Sequence, residues 1–136
     1  MAGARHFTEL IVWQLADELR AATLTLTQRR RFARDLKLCS QTEDAANSVC
    51  RNIAEGFGGT NRQFANYLRI ARRSMNELQD AFRSAELKNY VTDADLAAAR
   101  QLMRRLYPAI SRLIAYLDST PDPPRPKRPK NYRPAE

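Results

Sequence analysis

Glycine is scarce in this sequence, with 4 in 136 residues, and so are cysteine, with 2, and histidine and tryptophan, with 1 each. Few glycines beside abundant Ala, Leu, Arg and Gln argue against a turn-rich β fold, because these four residue types lose least on entering a helix. The single His6 stands apart from any cluster of Cys or carboxylates at ligand spacing, so neither a metal site nor any other cofactor is expected. Cys39 and Cys50 fall in one predicted helix. They lie about 16 Å apart along its axis, beyond disulfide reach, and both read as small core residues. No apolar run nears the about 20 residues of a membrane span, and residues 1–7 show no signal-peptide pattern. The expected setting is a reducing cytoplasm, with no membrane partner.

The length suits one domain with an ordinary core, in which roughly two-thirds of the unfolded surface can be buried. The net charge is +8, permissive of RNA, DNA or another polyanion. Residues 121–136 contribute +3 of it, from Arg125, Lys127, Arg128, Lys130 and Arg133 against Asp122 and Glu136.

Apolar spacing predicts four amphipathic helices. Val12, Leu15, Leu19, Ala22 and Leu26 form a stripe at alternating steps of three and four, giving a first helix from about Thr8 to Thr27. The arginine-rich stretch from Gln28 to Arg34, with Phe32, reads as the turn of a helical hairpin. A second helix covers Asp35 to Ala54, with Leu38, Ala45, Ala46, Val49, Cys50 and Ile53 inward, and Gly56, Gly58 and Gly59 are expected to end it in the left-handed conformation. Thr60 with Gln63 forms a capping box, followed by Phe64, Leu68, Ala71, Met75, Leu78, Phe82 and Ala85. Thr92 with Asp95 forms another, followed by Leu96, Ala99, Met103, Leu106, Ile110, Leu113 and Leu117. Pro108 is expected to kink this last helix without breaking it. The expected fold is all-α, an antiparallel up-down-up-down four-helix bundle over residues 1–119. Residues 120–136, where Pro alternates with Lys and Arg, form a basic tail expected to be disordered.

Opposite the third stripe, Arg62, Asn66, Arg69, Arg73, Asn76 and Arg83 make a polar ladder, with Arg72 at its flank. Such a ladder can contact successive phosphates through guanidinium forks, and Lys127, Arg128 and Lys130 can track a backbone with Tyr132 available to stack. A solvated helix face and a solubilising tail account for the same residues. Glu55 sits at the negative end of the second helix, where a carboxylate is disfavoured. A structural role there, accepting from the next helix's N-terminus or pairing with an Arg, is expected over acid-base chemistry.

Three patches carry a resemblance. They are residues 7–14, FTELIVWQ; Gln41, Ala45, Ala46, Ser48 and Val49 with the run Asn52-Ile53-Ala54-Glu55-Gly56; and Phe64, Leu68, Ile70, Ala71, Ser74, Glu77 and Leu78. With them the chain resembles the bacterial four-helix-bundle proteins encoded in intervening sequences of 23S ribosomal RNA genes. The resemblance implies a structural role for Asn52, Glu55 and Gly56, assembly as a homopentamer, and kinship with retroelement accessory proteins that bind nucleic acid and a reverse transcriptase. Glu43 and Asp44 stand where that family usually has basic residues, Gly59 where it has Arg, and Arg73 where it has Gly.

The leading expectation is a non-catalytic, oligomeric protein that binds the backbone of RNA or DNA without reading bases. The alternative is an adapter that docks a protein such as a reverse transcriptase. A third is a hydrolase or nuclease, which requires carboxylates such as Glu55 and Glu77 to converge with a metal.

Overall fold

The computed structural model describes residues 3–122, and the tail residues Lys127, Arg128 and Lys130 lie outside them. Every regular element among the described residues is helical. A 3₁₀ turn at Phe7–Glu9 is followed by α1 (Ile11–Thr27), α2 (Arg30–Arg34), α3 (Leu36–Phe57), α4 (Asn61–Leu87) and α5 (Asp93–Ser119). α1 packs on α3 and α5, and α4 packs on the same two helices. No helix here is long and apolar enough to cross a membrane.

All seven residues of the α4 stripe, Phe64 to Ala85, are buried, and both capping boxes form. α5 runs through Pro108 without a break. Its buried edge turns at the end, where Leu113 is half-buried and Ile114 is buried, because a 3.6-residue helix drifts off a strict seven-residue repeat. In α1 the inward position falls to Thr23 instead of the half-buried Ala22, and its hydroxyl donates to the Leu19 carbonyl at 2.8 Å. Cys39 and Cys50 are both free thiols, and burial pushes the Cys50 thiol up to about 11.

Three expectations need correction. α1 starts at Ile11 and not at Thr8, because extended Leu10 separates it from the 3₁₀ turn capped by His6. The stretch from Gln28 to Arg34 is no simple turn: it contains α2, whose Phe32 is fully buried and packs on Tyr90 with ring centroids 5.7 Å apart. α3 continues past Ala54 to Phe57, and Gly58, with φ −81°, ends it without a left-handed residue. The left-handed helix end belongs to Asn89 (φ 61°) after α4. There Tyr90 N–H donates to Ala85 O and Asn89 N–H to Glu86 O, both at 2.9 Å, the Schellman pattern.

Asp35 ties both ends of this corner. Its carboxylate caps α3 by accepting from Leu38 N–H at 3.1 Å, and it accepts from Lys88 Nζ at 2.8 Å and the Tyr90 hydroxyl at 2.9 Å. The Lys88 bond, then the Leu38 and Tyr90 bonds, hold its pKa down to about 2. A depressed carboxylate adds stability above its unfolded pKa of about 3.9, which is lost as pH falls through the folded value. Thermal unfolding followed by circular dichroism is expected to show a falling Tm from about pH 4 to pH 2, a slope that Asp35→Asn flattens. An unchanged slope in the variant would remove Asp35 from the acid response.

Candidate nucleic-acid interface

The α4 ladder is divided by its partners. Arg69 is ion-paired with Asp118 of α5 and donates to Asn66 Oδ1 at 3.1 Å, so its charge is largely matched within the fold. Arg72 is half-buried and donates to Ser111 Oγ of α5 at 3.2 Å, which a neutral hydroxyl leaves fully cationic. Arg62, Arg73 and Arg83 are exposed and make no hydrogen bond or ion pair among the described residues. The ladder thus leaves Arg72, Arg73 and Arg83 without an ion pair, while Arg62, also unpaired, lines a cleft with Asp118 and Asp122.

A second set of arginines lies on α5, outside the ladder expected from the sequence. Arg104, Arg105 and Arg112 are exposed and unpaired among the described residues. Two grooves flank this part of the helix. One, of about 480 Å³ against α4, is lined by Gln79, Phe82, Arg100, Met103, Arg104, Tyr107 and Pro108. The other, of about 370 Å³ against α1, is lined by Ile11, Leu15, Arg104, Arg105, Pro108, Ala109 and Arg112. Arg104 borders both, and no carboxylate lines either. Arg100 is spent within the fold, paired with Glu86 and Asp93. Tyr107, 39% exposed, offers a ring at the same place. The sequence did carry the signal. Between Asp95 and Asp118 there is no acidic residue while Arg100, Arg104, Arg105 and Arg112 occur, so none of the last three has a carboxylate one helical turn away.

The Asn-Ile-Ala-Glu-Gly run organises the α3–α4 contact. Asn52 Nδ2 donates to Ser48 O at 2.8 Å and Ser48 Oγ at 3.0 Å, and Ser48 shares a 2.8 Å hydrogen bond with Ser74 of α4. Ile53 is core. Gly56 is buried inside α3, and a Cβ there would stand 2.7 Å from Tyr67 Cβ, so its task is a close helix approach and not a helix stop. Glu55 is exposed and takes neither of its two expected partners among the described residues. The carboxylate at the α4 N-terminus is instead that of Asp122, which accepts from Asn61 N–H at 2.5 Å.

Glu77 borders a groove with Ser48, and Glu55 lies about two turns further along α3, so these carboxylates do not converge. Among the described residues no group of three or more His, Cys, Asp or Glu side chains is placed to hold a metal ion.

These features define an all-helical protein with two arginine-lined grooves beside α5 that no carboxylate lines. Residues 8–112 match the family model described as 23S rRNA-intervening sequence protein. The chain belongs to that family. No curated protein and no solved structure matches it.

Proposed function

We propose that this chain is a non-catalytic, nucleic-acid-associated protein of the cytoplasm, which binds the phosphate backbone of RNA or DNA on the surface centred on α5. Its helices form an antiparallel up-down-up-down bundle. The pairing of α1 and α4 each with α3 and α5, through short connections, supports that arrangement. The protein works as a homo-oligomer, a pentamer by its family resemblance.

The observation that carries the reading is the pair of grooves sharing Arg104, with three unpaired arginines and no acid along them. Guanidinium groups without internal partners have hydration to exchange for phosphate oxygens, and the planar fork fits them. Arg72 and Arg83 of α4 extend the same charge. Nothing in this arrangement selects a base sequence, so affinity should come from counterion release and fall steeply with salt.

Fluorescence-anisotropy titration of the full chain with labelled structured RNA and with duplex DNA, each at low and physiological salt, tests this. Salt-sensitive binding to either is the expected result. Failure to bind both at low salt would overturn it and favour the adapter reading, for which the exposed Ile11, Leu36 and Leu87 provide apolar surface.

A further inference from the structure

The groove between α3 and α4 has the opposite character to those around α5. It measures about 510 Å³, and Ala45, Ala81, Ser48 and Ser84 give it small walls. Asp44, Glu77 and Asp80 also line it, against Arg51 alone. None of these three carboxylates is paired with a cation among the described residues. In a chain of net charge +8 this is a local excess of negative charge, three carboxylates against one arginine.

The same chain holds a segment of complementary chemistry. Residues 123–133 carry Arg125, Lys127, Arg128, Lys130 and Arg133, interleaved with Pro123, Pro124, Pro126 and Pro129, and contain no acid. The point from which this segment departs is fixed. Asn61 at the start of α4 donates its N–H to Asp122 and its Nδ2 to Thr120 O at 3.1 Å. From Asn61 to Glu77, α4 rises about 24 Å. From Asp122 to Lys130, a polyproline-like chain advances about 25 Å. Taken along the axis of α4, this length brings Lys130 level with Glu77, and the three residues to Arg133 leave chain to cross toward the groove. A proline-rich backbone suits a narrow groove, since it leaves few N–H groups to satisfy and loses little entropy on docking.

The geometry points to an intramolecular dock, in which residues 123–133 occupy the α3–α4 groove and pair their cations with Asp44, Glu77 and Asp80. The segment lies beyond the family match, which ends at residue 112. Docking offsets part of the segment's charge, three carboxylates against five cations, and leaves the arginines around α5 as the open basic surface. The dock stands or falls independently of nucleic-acid binding.

Amide NMR spectra of full-length chains test it. Lys127→Gln, Lys130→Gln and Arg133→Gln together should shift the amides of Ser48, Glu77, Asp80 and Ser84, none of which is altered. The shifts should be insensitive to dilution and suppressed by high salt. In a chain already carrying Asp44→Asn, Glu77→Gln and Asp80→Asn, the same three substitutions should shift none of these amides, the non-additivity expected of a direct contact. Shifts confined to the end of α5 and the start of α4 would overturn the dock. Shifts that fade on dilution would place the segment in a second copy's groove and overturn its intramolecular form.

Discussion

Replacing Phe32 with alanine is expected to lower the unfolding free energy by about 3–5 kcal/mol, the cost of emptying a fully buried aromatic site. Phe32 has no exposed surface and packs against the ring of Tyr90, across the corner where α4 gives way to α5. Its helix, Arg30–Arg34, is far too short to persist by its own hydrogen bonds. The side chain therefore holds the helix, and not the reverse. The helix in turn places the Phe32 carbonyl, which accepts from Asp35 N–H at 2.9 Å and the Cys39 thiol at 3.0 Å, and so sets the entry into α3. Removing the ring leaves a cavity and loosens the link between α1 and α3 together. Urea unfolding followed by circular dichroism measures the loss. Ala33→Ser, an exposed substitution in the same helix, should stay within about 0.5 kcal/mol of the parent. A loss below about 1 kcal/mol for Phe32→Ala would show that the corner refills the site at little cost.

That corner also shows where sequence patterning stops. The stripe from Phe64 to Ala85 was legible because a helix of 27 residues repeats its inward face over seven turns, and each turn adds evidence. A helix of 5 residues repeats nothing, so Phe32 looked like one aromatic residue in an arginine-rich turn. Gly56 was misread for a different reason. Glycine commonly ends helices, but here the requirement comes from Tyr67 on the next helix, whose approach no local pattern announces. Asn89, which does adopt the left-handed conformation, carries a Cβ and is a less common residue there than glycine. For the basic surface, the α4 arginines were visible, but the pairing of Arg69 with Asp118 joins residues 49 apart in sequence. Only folding reveals which charge is already matched. The α5 arginines needed no structure at all: a run of 22 residues between Asp95 and Asp118 without a carboxylate was there to be counted.

The largest functional effect is expected from Arg104→Ala, Arg105→Ala and Arg112→Ala made together. Each arginine is exposed and free of internal partners, so its removal costs the fold little and any loss of binding reports on contact with the ligand. If each neutralises one phosphate of a duplex, the triple variant loses three released counterions, and the slope of log K against log salt should become shallower by about 2.7. At about 0.15 M salt that corresponds to roughly a hundredfold weaker binding. Arg69→Ala should do much less, because Asp118 already balances that charge, although the released carboxylate then adds some repulsion. Replacing the same three arginines with lysine separates charge from geometry. The salt slope should return to the parent value, since the charges are restored, while any remaining deficit measures what the guanidinium fork contributes at bidentate phosphate contacts. A triple alanine variant that keeps the parent slope would clear α5 of any part in binding. The unmatched arginines of α4 would then be the surface to test, beginning with Arg73 and Arg83, which have no partner among the described residues.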